Sequence, residues 1–315
     1  MHKPSVILHP MLPPGTHDLI AGMDGIAVQR PADNDGVAEA LAKGGEVLVS
    51  YTWRDSFLSP SLRWLASPSA GFDQFPVGAL REAGVTTTTG AGVHADCVAE
   101  HAFALLLAMT RRVGLSARNM AAAEWVRGTG EELWGKKLAI IGIGRIGDAF
   151  ARRCAGWGIE VVGVKRNPDT YAGPVETIRP TTELLDVCAW ADILVLASPA
   201  QADGSALIGK PELEALGPGW IVNIGRGSLI DEAALAEVLE HGALRGAGLD
   251  VFAKEPLPAD SPLWTSPKVI VTPHIGGGSP GFGPRFAKLF AENLQAFHGN
   301  GDWTNLLGRD IPTGV

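Results

Sequence analysis

Residues 138–158, LAIIGIGRIGDAFARRCAGWG, contain the strongest structural signal in the chain. It begins as an apolar strand, passes through three glycines in the pattern G-x-G-x-x-G, and continues as a helix. Such a turn leaves backbone N–H groups free at the positive end of the helix dipole, where phosphate binds, and the glycines let the backbone approach it closely. The predicted contact residues of this dinucleotide site are Gly142, Gly144, Arg145, Ile146 and Gly147.

Apolar runs rich in β-branched residues recur on both sides of this motif, with helical segments between many of them. From the motif onward the predicted strands are 137–141, 160–164, 192–197, 220–223, 247–251 and 269–272. Before it they are 5–9, 26–29, 46–50, 63–67 and 85–89. Strands that alternate with helices form parallel sheets. We therefore predict an α/β protein with two doubly wound parallel-sheet domains, a Rossmann-type dinucleotide domain being inserted in a flavodoxin-like substrate domain.

The length of 315 residues favours two domains, at roughly 150 residues per domain. The segment after Pro280 has helical periodicity over 286–297 and no strand left to pair with, so we expect it to fold back onto the first domain. The predicted substrate domain is therefore discontinuous. It comprises residues 1–103 and 285–315, and the dinucleotide-binding domain spans 104–284.

One apolar helix is predicted between the two sets of strands. Asp96 is a candidate N-cap for a helix from Val98 to Arg112, which is apolar on nearly every side as far as Met109. Such a helix must be buried. It is either a core helix of one domain, or a helix that crosses between domains or packs against a second subunit, and both interpretations stay open at this point.

Composition and charge disfavour several classes of function. With 26 Lys+Arg against 34 Asp+Glu the formal net charge is -8, which disfavours nucleic acid and anionic membranes as partners. The most apolar helical stretch, 102–109, is well short of the ~20 residues that span a bilayer, and the N-terminus lacks the pattern of a secretory signal. Cys97, Cys154 and Cys188 have neither metal-type nor disulfide-type spacing. We expect a cytoplasmic protein without a metal site.

The end of the second strand of the nucleotide domain bears on the choice of cofactor. In an NAD site an acidic residue about 20 positions after the glycines accepts the ribose 2′-hydroxyl. Here Lys165 and Arg166 stand instead, and two cations suit a 2′-phosphate. Lys and Arg also commonly cover a solvated strand end. Because the acid is missing and the cations are present, we predict NADP as the cofactor, with NAD as the alternative.

Three polar residues follow predicted strands of the nucleotide domain. They are Arg226 in VNIGRGSLID, Glu255 in LDVFAKEPLP and His274 in VTPHIGG. Each alone has an ordinary explanation, as a surface ion pair, a loop residue or a structural histidine. Because parallel strands place their carboxyl ends at one edge of a sheet, all three can converge on one ligand.

These ordered motifs make the chain resemble the D-isomer-specific 2-hydroxyacid dehydrogenases. The resemblance extends from about residue 67 to 307 and is densest over 222–274. It implies that Arg226, Glu255 and His274 form the catalytic triad of that family.

Reduction of a 2-oxo acid explains these residue types, because a hydride must reach the carbonyl carbon and a proton its oxygen. His274 is suited to donate the proton near neutral pH, and Glu255 beside it is expected to favour the imidazolium form. Arg226 offers a planar fork to the substrate's carboxylate and carbonyl. The resemblance further implies that Asp250 of LDVF holds the nicotinamide carboxamide and that Pro199 lies in the cofactor loop.

In the first domain, the resemblance implies that backbone N–H groups of the loop SPSAGFDQF hold the substrate carboxylate, with Ala70 and Gly71 as candidates. Trp53 falls where the family places a side chain against the variable group of the substrate. An ordinary turn and a core aromatic are the alternative interpretations. Two departures from the family pattern concern the pocket: His94 stands where many relatives have Asn or Ser, and the run GGGSPGF after His274 is rich in glycine.

The sequence thus predicts a cytoplasmic, homodimeric oxidoreductase that uses NADP to reduce a small 2-oxo acid of the glyoxylate or hydroxypyruvate type. The alternatives are an NAD-linked relative, such as a phosphoglycerate or phosphonite dehydrogenase, and a non-catalytic protein that senses dinucleotides.

Overall fold

The computed structural model describes residues 2–307 of the chain. Within them the chain divides into two compact units. The first unit comprises the residues up to His94 and those from Gly278 onward, and the second runs from Ala95 to Gly277.

The sequence placed these divisions later, at 103/104 and at 284/285. The first division falls earlier because the helix that begins at Ala95 packs as one rigid element on the second sheet. Residues 308–315, which the predicted substrate domain included, lie outside the described residues.

Twelve strands and ten α-helices make up the two units within residues 2–307. The strands β1 to β12 are, in chain order, Ser5–Leu8, Ala27–Gln29, Val47–Val49, Trp64–Ala66, Thr86–Thr88, Lys137–Ile141, Glu160–Val164, Thr177–Arg179, Ile193–Leu196, Trp220–Asn223, Gly246–Leu249 and Val269–Val271. The helices α1 to α10 are Pro14–Ala21, Asn34–Ala42, Val77–Glu82, Ala95–Thr110, Val113–Ala121, Arg145–Cys154, Leu184–Trp190, Lys210–Leu216, Glu232–Glu240 and Phe282–Phe297.

The sheet of the first unit has the strand order β2-β1-β3-β4-β5, and every neighbouring pair is parallel. This is the flavodoxin-like order that the sequence predicted. Helix α10 belongs to the core of this unit through a row of aromatic rings. The ring of Phe290 stacks on that of Trp64 in β4 at 4.8 Å, and the Trp64 indole donates to Thr88 Oγ1 at 2.9 Å.

The sheet of the second unit has the order β12-β11-β10-β9-β6-β7-β8, again wholly parallel. It contains the doubly wound arrangement around β6 that the glycine motif predicted. Strands β9 and β10 are buried along their whole length because apolar clusters cover both faces of the sheet. The sequence missed β8, whose three residues Thr177–Arg179 are mostly exposed and lie at the sheet edge.

Helix α4 is a core helix of the second unit. Its buried side chains, among them Ala102, Leu105 and Leu106, pack in one cluster with residues of α6 and β10. The predicted N-cap at Asp96 was wrong, because the helix begins at Ala95 and the Asp96 carboxylate instead pairs with Arg153 of α6 at 3.2 Å. Within residues 2–307, none of the helices is long and apolar enough to cross a membrane.

Candidate active site

The glycine motif lies between β6 and α6, as the sequence predicted. Gly142 has φ +91°, and a Cβ there would lie 2.5 Å from the backbone of Ser198, so only glycine fits. A Cβ at Gly147 would meet Gly142 O and Ile140 at 3.1 Å, which shows how closely the helix packs on the strand. At Gly144, by contrast, a Cβ would meet no described atom within 4 Å. The motif therefore has open space only at its middle glycine.

Helix α6 begins at Arg145, with Gly144 as its N-cap residue, and has no side-chain cap among the described residues. Its first turn therefore offers N–H groups and the positive end of the helix dipole to a ligand. Beside the motif, the buried Ser198 Oγ has no hydrogen-bond partner in the part of the chain that the structure describes. An uncapped helix start, open space at the glycine and an unpaired hydroxyl fit the pyrophosphate of a dinucleotide.

Lys165 and Arg166 directly follow β7, which is the neighbour of β6 in the sheet. Neither side chain forms an ion pair or a hydrogen bond with any residue in 2–307, and Arg166 is exposed. The two cations are thus available to an anionic group of a ligand. The sequence predicted a strand that ends at residue 164, directly before these two cations, and β7 ends there.

Tyr171 fastens the segment that follows Lys165 and Arg166 to helix α6. Its hydroxyl donates to Asp148 Oδ1 at 2.7 Å and accepts from the backbone N of Val175 at 3.2 Å. Burial raises the pKa of Tyr171 to about 12, and the hydrogen bond to Asp148 acts in the same direction. Nothing in the sequence points to this contact, because it joins two elements that no local pattern relates.

Four predicted site residues come after four neighbouring strands of the second sheet, at the carboxyl ends of these strands. Pro199 comes after β9, Arg226 after β10, Asp250 directly after β11 and His274 after β12. Because these neighbouring strands are parallel, their carboxyl ends lie side by side.

Arg226 is held in a tight turn after β10. The side chain of Asn223 donates to Arg226 O at 2.9 Å and accepts from Gly225 N at 3.1 Å. The next residue, Gly227, lies against the backbone of Phe252, where any Cβ would overlap the carbonyl carbon. This close contact brings the arginine turn against the loop that leads to Glu255.

His274 and Glu255 form a direct pair. Nδ1 of His274 lies 2.7 Å from Oε2 of Glu255, whose other oxygen accepts from Phe252 N at 3.0 Å. The backbone of His274 has φ +53°, an uncommon conformation for a residue with a side chain. Its N–H donates to the carbonyl oxygens of Asp250 and Thr272, which hold it in this conformation.

The carboxylate of Asp250 is almost fully buried, with 3% of the residue exposed. It accepts hydrogen bonds from Thr272 Oγ1 at 2.6 Å, from Ile275 N at 3.0 Å and from Gly276 N at 2.9 Å. Asp250 therefore organises the turn that carries His274. Sequence reasoning did not identify Thr272, although it stands in the quoted VTPH motif.

The predicted substrate-binding residues Ala70, Gly71 and Trp53 belong to the first unit, whereas the triad belongs to the second. Ser69 Oγ donates to Gly71 O at 2.8 Å and so shapes the loop. The N–H groups of Ala70 and Gly71 donate no hydrogen bond to any described residue. They are therefore available to an anion.

The side chain of Trp53 packs edge-on against Phe57 at 6.0 Å, and its indole N–H is buried without a partner among residues 2–307. His94 stacks face to face on Phe282 at 4.8 Å. The glycine after Ile275 in the unusual glycine-rich run is in contact with Asp250, because a Cβ at Gly276 would lie 2.9 Å from its Oδ2. No cluster of three metal-ligating side chains occurs in the described part of the chain.

Comparison with known proteins adds to this geometry. A family model described as "D-isomer specific 2-hydroxyacid dehydrogenase, NAD binding domain" matches residues 103–276, more than half of the chain. The glyoxylate/hydroxypyruvate reductase B of Pectobacterium carotovorum is 36% identical over 310 residues, which cover 93% of this chain and 94% of that protein. The chain belongs to the D-isomer-specific 2-hydroxyacid dehydrogenase family. The resemblance noted from the sequence is thereby confirmed.

Other members of the family give the range of similarity. The D-3-phosphoglycerate dehydrogenase of Mycobacterium tuberculosis is 34% identical over 305 residues, but this chain spans only 57% of its length. Among solved structures, the NADPH-dependent glyoxylate/hydroxypyruvate reductase of Sinorhizobium meliloti superposes with a TM-score of 0.83 at 28% identity. That match covers 97% of this chain and 98% of the other.

Proposed function

We propose that the protein reduces small 2-oxo acids of the glyoxylate or hydroxypyruvate type to D-2-hydroxy acids, with NADP as the preferred cofactor. The observation that carries this proposal is the 2.7 Å pair of His274 with Glu255, on the same sheet edge as Arg226. A carboxylate-bound histidine on the same sheet edge as an arginine suits an acid that delivers one proton to a substrate whose carboxylate is held by a cation.

The unit from Ala95 to Gly277 would hold the dinucleotide. Gly142, Gly144 and Gly147, with Arg145 and Ile146 at the start of α6, would take the pyrophosphate. Pro199 and Asp250 would line the nicotinamide end, since they follow β9 and β11 at the carboxyl edge of the sheet. When bound, the nicotinamide supplies the hydride that reduces the carbonyl carbon.

The triad residues would then act on the substrate as follows. Arg226 binds the carboxylate and the carbonyl oxygen through two parallel N–H groups and polarises the C=O bond. Nδ1 of His274 is engaged by Glu255, so Nε2 is the nitrogen that delivers the proton to the carbonyl oxygen. The Glu255 carboxylate holds Nδ1 and so fixes the tautomer of the ring. Hydride at carbon and proton at oxygen together give the hydroxyl group.

In the first unit, the N–H groups of Ala70 and Gly71 would bind the substrate carboxylate as neutral donors. The position of Trp53 after β3, with an indole N–H that has no partner in the described part of the chain, suits a contact with the variable group of a small, polar 2-oxo acid. These roles rest on the resemblance of the loop to the family pattern and on the two available N–H groups.

The preference for NADP is supported by Lys165 and Arg166, two cations at the strand end that pair with no acidic side chain among residues 2–307. The Sinorhizobium structure, whose protein is described as NADPH-dependent, points the same way. A charge-assisted contact with a 2′-phosphate is worth about 1.5–3 kcal/mol, so one such contact is enough for a clear preference.

We also propose a homodimer and a cytoplasmic location. Helix α5 has no buried residue, and Met120 within it is 77% exposed. Trp125 and Trp134, further along the chain, are 91% and 75% exposed. A second copy of the chain would cover these apolar side chains. None of the three cysteines forms a disulfide within residues 2–307, and Cys154 and Cys188 are buried, which is typical of a reducing compartment. Sedimentation of the wild type against Trp125→Glu tests the dimer: a monomeric wild type would exclude it.

A screen of 2-oxo acids with NADPH and with NADH tests the reaction itself, with His274→Asn as the inactive control. Consumption of reduced cofactor that depends on glyoxylate or hydroxypyruvate supports the proposal. Tight cofactor binding without turnover of any 2-oxo acid would favour a dinucleotide sensor. Turnover of phosphoglycerate with NAD alone would favour an NAD-linked relative of the mycobacterial type.

A further inference from the structure

His101 of helix α4 makes polar contacts close to the site but has no part in the proposed binding of cofactor or substrate or in proton transfer. Its Nε2 lies 2.9 Å from Thr272 Oγ1 and 3.2 Å from Oδ1 of Asp250. The histidine side chain is 19% exposed and that of Asp250 is 4% exposed. A buried polar network of this kind is costly unless its members satisfy one another, so the contact merits a functional explanation.

The direction of each hydrogen bond follows from counting hydrogens. Thr272 has one hydroxyl hydrogen, and at 2.6 Å from Asp250 Oδ1 it is donated to that carboxylate oxygen. In the 2.9 Å contact with His101, the Thr272 oxygen must therefore accept, and Nε2 of His101 must carry a hydrogen. His101 thus donates into the Asp250 and Thr272 pair.

The same count shows which acceptor position of Asp250 stays open. Oδ1 accepts from Thr272 Oγ1 and Ile275 N and is also approached by His101, so its two lone pairs are used. Oδ2 accepts one described hydrogen bond, from Gly276 N. One lone pair of Oδ2 therefore remains for a donor outside the described residues.

His101 also supports the turn that carries His274. A Cβ at Gly276 would lie 3.2 Å from Cδ2 of His101, so the imidazole packs directly against the end of this turn. His274 itself has φ +53°, a conformation that persists only where the surroundings enforce it.

We propose that His101 is a positioning residue: its Nε2–H orients the Asp250 carboxylate so that Oδ2 is free for the carboxamide N–H of the nicotinamide, and it braces the turn that presents His274. This proposal rests on the proposed function. His101 touches neither substrate nor cofactor in it and acts through Asp250 and Thr272.

Three substitutions of His101 distinguish the effect of losing the N–H donor from the effect of losing the volume of the ring. His101→Gln can place an amide N–H near the position of Nε2, whereas His101→Asn is too short and His101→Leu has no donor. His241→Leu, at an exposed histidine next to α9, is the matched control. The readouts are amide hydrogen exchange at Ile275 and Gly276 in the cofactor-free protein, the NADPH dissociation constant by fluorescence, and kcat and KM.

We expect His101→Leu and His101→Asn to exchange these two amides about tenfold faster than the wild type and to bind NADPH about tenfold more weakly, the effect of one lost charge-assisted hydrogen bond. Their kcat is expected to fall as well. His101→Gln is expected to stay within about threefold of the wild type, and His241→Leu to match it.

Unchanged exchange and NADPH affinity in a folded His101→Leu variant would overturn the proposal. So would a His101→Gln variant as impaired as His101→Leu, because the ring would then matter only for its volume. A wild type that turns over no 2-oxo acid would instead overturn the proposed function, while the exchange data on the cofactor-free protein still decide whether His101 positions Asp250.

Discussion

Nδ1 of His274 lies 2.7 Å from Oε2 of Glu255, and both side chains remain partly exposed. An ionised carboxylate only accepts hydrogen bonds, so Nδ1 carries a hydrogen and Nε2 is the nitrogen that exchanges a proton with a ligand. Glu255 is itself oriented by the backbone N–H of Phe252 at 3.0 Å. The pair therefore fixes both the tautomer of the imidazole and its direction.

The first prediction concerns this pair. His274→Asn removes the proton donor, and kcat is expected to fall by about 10²- to 10⁴-fold while the NADPH dissociation constant stays near that of the wild type. Glu255→Gln keeps a hydrogen-bonding group but removes the charge, so its kcat is expected to fall less. Steady-state kinetics and fluorescence titration check both; near wild-type kcat in His274→Asn would exclude the role.

The second prediction concerns Arg226. A lysine keeps the charge but cannot form two parallel hydrogen bonds with a carboxylate. Arg226→Lys is therefore expected to lower kcat/KM for the 2-oxo acid by about 10- to 100-fold, whereas Arg81→Lys, at an exposed arginine of α3, has no effect. If Arg226→Lys retains wild-type kcat/KM, the substrate carboxylate is held elsewhere, with the Ala70 and Gly71 backbone as the candidate.

The third prediction concerns the choice of cofactor. Lys165→Asp combined with Arg166→Ala removes two cations and supplies an acceptor for a free 2′-hydroxyl, so preference is expected to move toward NADH. The change should appear mainly in the cofactor KM, by about 10- to 100-fold for NADPH. Lys43→Asp, at an exposed lysine of the first unit, controls for charge alone. An unchanged ratio of kcat/KM for NADPH and NADH would mean that both cations only cover a solvated strand end.

The fourth prediction concerns the two tyrosines of the chain. Burial raises the pKa of Tyr51 to about 12, and burial with the Asp148 hydrogen bond raises the pKa of Tyr171 to about 12. Because the raised values favour the neutral phenol, their contribution to stability is full below pH ~10 and is lost as pH rises toward 12. Ultraviolet titration of the native protein is expected to show no tyrosinate at pH 10, unlike the unfolded protein. Tyrosinate at pH 10 in the folded protein would contradict the described environments.

Much of the fold could be predicted because most of its strands have a recognisable local pattern of apolar residues. Runs such as Ile193–Leu196 are apolar throughout, which is what a strand covered on both faces requires. The strand Thr177–Arg179 was missed because an exposed edge strand of three residues has no such pattern. The start of α4 was misplaced because Asp96 is a good capping residue, yet Arg153 on another helix attracts its carboxylate.

Some features of the candidate site could likewise be predicted from the sequence, and others could not. The glycine motif and the polar residues at strand ends are visible in sequence, because turn geometry and sheet edges constrain them locally. His101 and Thr272 are 171 positions apart, so no local pattern in either segment predicts their hydrogen bond. The same is true of the hydrogen bond between Tyr171 and Asp148, and of the Ser198 hydroxyl beside the glycines, which has no partner within residues 2–307.

Isotope transfer shows whether the protein delivers a hydride from the nicotinamide to a 2-oxo acid. The protein is mixed with hydroxypyruvate and with NADPH that carries deuterium at the transferable position of the nicotinamide, and the product is analysed by mass spectrometry and chiral chromatography. We expect D-glycerate with one deuterium at C2. Absence of glycerate, glycerate without deuterium, or the L-isomer would contradict the account.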